Sequence, residues 1–141
     1  MAAAMRLVTT GAVPEPPPGL FSNCIVVGDA IHISGQHAGG PQGAVGGPSM
    51  QEQAREAFRR VLALIEAAGG SADDVVKVTV YVRDMSRRAE VSAARREIFA
   101  EPFPCSTMVG VDALAGPDLL VEIDALAIVG AGGRRAAARP G

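Results

Sequence analysis

The chain has no tryptophan, one tyrosine and four phenylalanines in 141 residues, which leaves little material for the aromatic platforms on which nucleic-acid bases stack. It also lacks a surplus of charge of either sign. Thirteen basic against fifteen acidic residues give a net charge of −2, so no global field draws the chain to nucleic acid or to an anionic membrane. Cysteine is scarce: Cys24 and Cys105 stand far apart, fit neither a disulfide framework nor a metal-ligand spacing, and suit a reducing, cytoplasmic setting. Histidine is limited to His32 and His37, and without an acidic companion at ligand spacing these predict no bound metal. Long apolar runs are missing too. No window approaches ~20 uninterrupted apolar residues, and the opening MAAAMRLVTTGAV has one arginine and no run of signal length, so neither membrane spanning nor secretion is expected.

What is present suffices for one domain with a proper core: 48% of residues are hydrophobic, in a chain of ordinary domain size. The most apolar stretch, Leu119 to Val129 (LLVEIDALAIV), carries two acids in its middle. Read at the strand period of two, Leu119, Val121, Ile123, Ala125, Ala127 and Val129 share one face, while Leu120, Glu122, Asp124, Leu126 and Ile128 share the other. Eleven residues rich in Val, Leu and Ile without Gly or Pro predict a central strand, where an ionised carboxylate must find a partner or water, or take up a proton. Glu122 and Asp124 are therefore either the seat of chemistry or structural ion-pair partners at a solvated end.

In chain order, Arg6 to Thr9 predicts a short strand, and Pro14, Pro16, Pro17, Pro18 and Gly19 forbid regular structure after it. Cys24 to Val27 and Ala30 to Ser34 predict a hairpin turned by Gly28-Asp29. Gly35 to Pro48 reads as an adaptable loop with six glycines and two prolines. Ser49 and Glu52 stand at capping-box spacing before a helical pattern that stops at Gly69-Gly70. Val75 to Arg83 alternates, with Val76, Val78, Val80 and Val82 expected inside and Lys77, Thr79, Tyr81 and Arg83 outside. A second helix is expected from Asp84-Met85-Ser86 to about Ala100, ended by Pro102 and Pro104. Ser106 to Val111 and the acid-bearing stretch complete the strands. The order hairpin, helix, strand, helix, strand, strand predicts an α+β domain with two helices on one face of a mixed sheet. The uncovered face of so small a subunit predicts a closed cyclic oligomer. Three segments follow: 1–18, a first strand and proline-rich lead-in; 19–129, the domain; and 130–141, a flexible tail.

Several stretches together resemble the RidA/YjgF family: Ile33-Ser34-Gly35-Gln36, the helix end Ile65-Glu66-Ala67-Ala68-Gly69, Val75 to Val82 followed by Asp84-Met85, the Phe103-Pro104 pair, and Leu120-Val121-Glu122-Ile123-Asp124-Ala125. The resemblance runs from about Gly19 to Val129. It implies a six-stranded mixed sheet with two helices on one face, as in chorismate mutase, and a homotrimer with ligand clefts between neighbouring subunits. It further implies hydrolysis of reactive enamines and imines to 2-keto acids and ammonia, with neither metal nor organic cofactor, and a small-molecule ligand rather than nucleic acid or membrane as partner.

Residue by residue, the resemblance keeps Glu122, which would hold and activate water, and Ser34, Gly35 and Gln36 as cleft residues. The family's aromatic tyrosine at the cleft mouth corresponds to Phe21, and an asparagine on the second helix corresponds to Ser92. An arginine that clamps the substrate carboxylate through its planar fork corresponds to Ser106. The backbone around Cys105, Ser106 and Thr107 would supply hydrogen bonds to substrate. Two functions follow: a RidA-like hydrolase of a small reactive metabolite, or a non-catalytic trimeric binding or sensing protein that lost turnover with the arginine. Without the clamp, weak deamination of simple amino-acid imines is expected, with a preference for bulkier or neutral ligands. Arg83, Arg87, Arg88, Arg95 and Arg96 are the cations from which a replacement could come. Cys105 as a nucleophile with His37 as its base competes with plain packing of a small side chain. The glycine-rich loop from Gly39 to Gly47 lacks the pattern that cradles phosphate.

Overall fold

The computed structural model describes residues 2–134. Its elements are β1 (Met5–Val8), β2 (Cys24–Val27), β3 (Ala30–His37), α1 (Met50–Ala67), β4 (Val75–Val82), α2 (Arg88–Arg96), β5 (Cys105–Gly110) and β6 (Val121–Ile128), with short 3-10 turns at Ala72–Asp74, Met85–Arg87 and Ala131–Arg134. Six strands form one mixed sheet in the order β1-β2-β3-β6-β4-β5. Only the β4–β5 pair is parallel, joined through α2; the other neighbours are antiparallel. This is the α+β architecture expected from the sequence.

Each amphipathic helix buries its apolar stripe on the same sheet face. Phe58, Val61, Leu64 and Ile65 of α1 and Val91 and Ala94 of α2 meet Ile31, Val78, Val80, Val82, Val121 and Ile123 in one core, where the Phe58 and Phe99 rings pack edge to face with centroids 5.7 Å apart. The Ser49 hydroxyl accepts from the Glu52 N–H at the start of α1. The hairpin turns where expected, with Gly28 alone supplying a positive φ of 60°.

The boundaries move in places. β1 starts at Met5 and ends at Val8, one residue earlier than the apolar pattern suggests, and β6 is trimmed to Val121–Ile128. In β4 the pattern shifts at its start: Val75 is buried and Val76 only half so, because a register irregularity lies between Val75 and Lys77 against β6. The second helix is shorter than expected, a 3-10 turn followed by nine helical residues, since Glu97 to Phe99 close as turns before the prolines. The largest difference is β3, which runs on through Gly35 to His37 instead of giving way to a loop. The segment 130–141 opens with a 3-10 turn whose Gly132 N–H donates to Asp74 at 2.8 Å; residues 135–141 lie outside the described residues. No described helix is long and apolar enough to cross a membrane.

Candidate functional site

The extension of β3 is what builds the site. Ile33 pairs with Ala125 and Gln36 with Ile123, so Ser34 and Gly35 together stand against Asp124 in a β-bulge. The extra residue reverses the side-chain parity. Ile33 and Gln36 therefore both face the helices, and His37 arrives beside Glu122 on the opposite, open face. The bulge is held from below: Ser34 donates through its N–H to the Asn23 carbonyl (2.9 Å) and through its hydroxyl to the Ser22 carbonyl (2.6 Å). Buried Gln36 donates its amide to Asn23 Oδ1 (3.3 Å) and to the Ser34 carbonyl (3.1 Å). Gln36 thus spends its side chain inside the fold. Asn23, which anchors both residues and donates to the Pro14 carbonyl at 2.9 Å, was not among the residues singled out from sequence.

Glu122 lies half-buried over this bulge. A Cβ on residue 35 would stand 2.7 Å from the Glu122 Cδ, so only glycine lets the carboxyl lie against the β3 backbone. Across β4, Tyr81 pairs with Glu122 and Thr79 with Asp124, and the Tyr81 hydroxyl donates to Asp124 Oδ2 at 3.2 Å. The adjacent Asp124 carboxylate, with some desolvation, pushes the Tyr81 phenol above its usual range. His37 accepts at Nδ1 from the Gly39 N–H (3.0 Å). The open face thus presents Glu122, Asp124, Tyr81 and His37 in a row across three strands. The alternation of β4 had already put Tyr81 on the polar side; its pairing with Asp124 needed the register, which no local pattern supplies.

The expected residues divide between the two faces of the sheet. Lys77 pairs with Cys105, Val78 with Ser106 and Thr79 with Thr107. Cys105 and Thr107 therefore share the open face with Glu122 but sit on the edge strand, two strand spacings away, about 10 Å. Ser106 shares its face with buried Val78 and, on the edge strand, is exposed beside α2. Ser92 lies on α2, half-buried. Phe21, 57% exposed, belongs to the loop that holds the bulge. Within one chain Ser34 and Gly35 thus stand with Glu122, Phe21 belongs to the loop beside the bulge, and Ser92 and Ser106 lie on the helix side of the sheet.

Beside Ser106 stands one of the five candidate arginines. Arg95 of α2 donates from Nη1 to Ser106 Oγ at 2.8 Å, while its Nε is buried without a hydrogen-bond partner. The five arginines on and beside α2 are indistinguishable in sequence; only the docking of α2 beside β5 selects this one. Among the described residues no group of three or more His, Cys, Asp or Glu side chains could hold a metal ion.

Residues 12–129 match the family model described as Endoribonuclease L-PSP. A 2-iminobutanoate/2-iminopropanoate deaminase of Dermatophagoides farinae is 31% identical over 126 residues, covering 88% of this chain and 96% of the relative. The protein of the same name in Escherichia coli strain K12 is 34% identical, covering 78% and 88%. Among solved structures, a Pseudomonas aeruginosa protein of unknown function superposes with a TM-score of 0.81 at 35% identity, covering 90% of this chain and 94% of that one. RidA from an Antarctic Psychrobacter gives a TM-score of 0.78 at 31% identity, covering 88% and 99%.

Proposed function

The chain belongs to the Endoribonuclease L-PSP family, the RidA/YjgF family that its motifs resemble, and from that footing we propose that it is a hydrolase of the imine and enamine deaminase type, acting on a small reactive metabolite with Glu122 as the catalytic residue. The observation that carries this reading is the carboxyl of Glu122 lying against the Gly35 bulge on an open sheet face. A carboxylate there can orient a water and take its proton as the oxygen attacks the electrophilic imine carbon; the proton then reaches the nitrogen, and the resulting aminoalcohol collapses to ketone and ammonia. Electrons and atoms balance with water as the only co-reactant. The deaminase names of relatives at 31 and 34% identity support the same chemistry. The ribonuclease in the family's description is not carried over, since a net charge of −2 gives no field for a polyanion.

We further propose that the working site lies between subunits of a homotrimer. Glu122 and Ser106 sit on opposite faces of one sheet, so a ligand that touches both must bridge two copies, the open face of one meeting the β5 edge of another. The open face carries exposed Met5, Leu7 and Val109, at 73, 58 and 38%, the apolar surface such an assembly would cover. The second reading, a trimeric binding or sensing protein without turnover, draws its support from Ser106 in the clamp position of the family motif.

The test generates an imine with an amino-acid oxidase and follows its capture by semicarbazide. Wild type is expected to suppress capture, and Glu122→Gln to lose at least about 100-fold of that activity, in keeping with the loss of a general base, while its oligomeric mass stays unchanged. A Glu122→Gln protein as active as wild type would move the chemistry elsewhere. No activity in wild type toward any imine tried would favour the binding reading.

A further inference from the structure

His37 is the polar group of the open face that the proposed reaction leaves unused. As a base for Cys105 it is misplaced within one chain: it stands on β3 and Cys105 on β5, three strand spacings apart, about 14 Å. Its partner is Glu122, directly opposite on β6, and antiparallel partners start their side chains about 5 Å apart at Cβ. Both side chains then lie down on glycines. The Glu122 carboxyl rests against Gly35, two residues before His37, and the imidazole against Gly39, two residues after it, where a Cβ would stand 2.8 Å from Cε1 and 2.9 Å from Nδ1. The two groups part in opposite directions along the chain of β3 and flank one place on the open face.

The imidazole is fixed in its chemistry as well. Nδ1 accepts from the Gly39 N–H at 3.0 Å, and a ring nitrogen that accepts carries no proton, so the ring is neutral with its one proton on Nε2. Gly39 is gripped in turn from the core: its carbonyl accepts from Nη2 of buried Arg60 at 2.8 Å, and Arg60 Nε donates to Glu56 at 2.7 Å. Contacts that begin on α1 therefore set the ring so that it presents a donor, which no other group among the described residues engages.

We propose that His37 is a second catalytic residue, which holds the attacking water by donating Nε2–H to its oxygen while Glu122 accepts one of its protons. This rests on the proposed hydrolysis at Glu122 and supplies what a lone carboxylate lacks. A carboxylate only accepts, so it fixes one hydrogen of the water and leaves the oxygen to swing about that bond; a donor on the other side fixes the oxygen itself. The balance of the step is unaltered. One lone pair of the oxygen takes the histidine hydrogen bond, the other forms the bond to the imine carbon, the C=N pair moves to nitrogen, and the proton taken by Glu122 passes to that nitrogen. His37 neither gains nor loses a proton.

The experiment compares wild type, His37→Leu and His37→Gln as full chains, with the imine of leucine supplied by an amino-acid oxidase at a series of rates so that kcat and KM separate. His37→Leu, which removes the donor, is expected to lower kcat by about 10- to 100-fold, the range for a misplaced reactant, and to leave KM unchanged. His37→Gln, whose amide can also donate, should recover part of the loss. In the ring-nitrogen spectrum of wild type, the His37 proton should sit on Nε2 with Nδ1 bare. Wild-type kcat in His37→Leu, a loss confined to KM, equal losses in both variants, or a proton on Nδ1 would each overturn the proposal, the last even if the substituted chains failed to fold. A fully active His37→Leu beside an inactive Glu122→Gln removes the histidine and keeps the hydrolase. A Glu122→Gln protein as active as wild type, or a wild type without imine hydrolysis, removes the hydrolytic reading and the water anchor with it.

Discussion

At the scale of single residues, Gly35 offers the sharpest test of how Glu122 is held. A methyl group there meets the end of a flexible side chain, at 2.7 Å from Cδ and 2.9 Å from Oε2, so the carboxyl swings aside and the backbone stays. Gly35→Ala is accordingly expected to cost little stability, within about 1 kcal/mol by denaturant melt, yet to lower imine hydrolysis by about 10-fold or more, because misplaced catalytic groups are expensive. Equal losses of both would mean that the glycine serves the bulge and not the acid. Glu122 was legible in the sequence because an acid inside an apolar run cannot be neutral to its surroundings. Which of the five candidate arginines meets Ser106 was not, since the partner lies on another element and helix docking has no local signature.

At the scale of elements, the strands and helices followed from periodicity, and the differences fall where pairing overrides it. Gly35 reads as the start of a loop because glycine weakens strands, yet here it permits the bulge that continues β3 and reverses its parity. A second contact invisible to periodicity is made by Asp74, whose carboxylate accepts from the Gly132 N–H at 2.8 Å and the Ser71 N–H at 2.9 Å, tying the turn after β6 to the start of β4. Burial alone would raise this acid, but the backbone donors outweigh it and hold it below the usual carboxylate range. A lowered native value means that its contribution is present above the unfolded value and lost as pH falls through the native one. Asp74→Ala is expected to cost about 1–3 kcal/mol at neutral pH, the range for bonds to a charged group, with the gap to wild type narrowing below about pH 4. Urea melts of both proteins at pH 7 and pH 3 check this; a constant gap would mean that the charge is not what holds the turn.

At the scale of the whole molecule, the fold leaves one sheet face without helices, and that face carries both the acids and exposed apolar side chains. The sequence signalled the uncovered face by counting helices, but not the division of the expected site residues between two faces, which depends on β4 being shared by β5 and β6. On the proposed reading the site needs two copies, and light scattering at micromolar concentration should report three times the 14.4 kDa of one chain. The most direct measurement of that claim mixes two defective chains. Glu122→Gln and Ser106→Phe, the second filling the proposed site at the β5 edge with a ring, are coexpressed under separate tags and purified as mixed assemblies, and each supplies what the other lacks. If every site takes Glu122 from one copy and Ser106 from its neighbour, random mixing in a cyclic trimer restores about a quarter of the sites, and imine hydrolysis should rise to about that fraction of wild type, well above either parent. Mixed assemblies no more active than the average of their parents would contradict a site built between subunits.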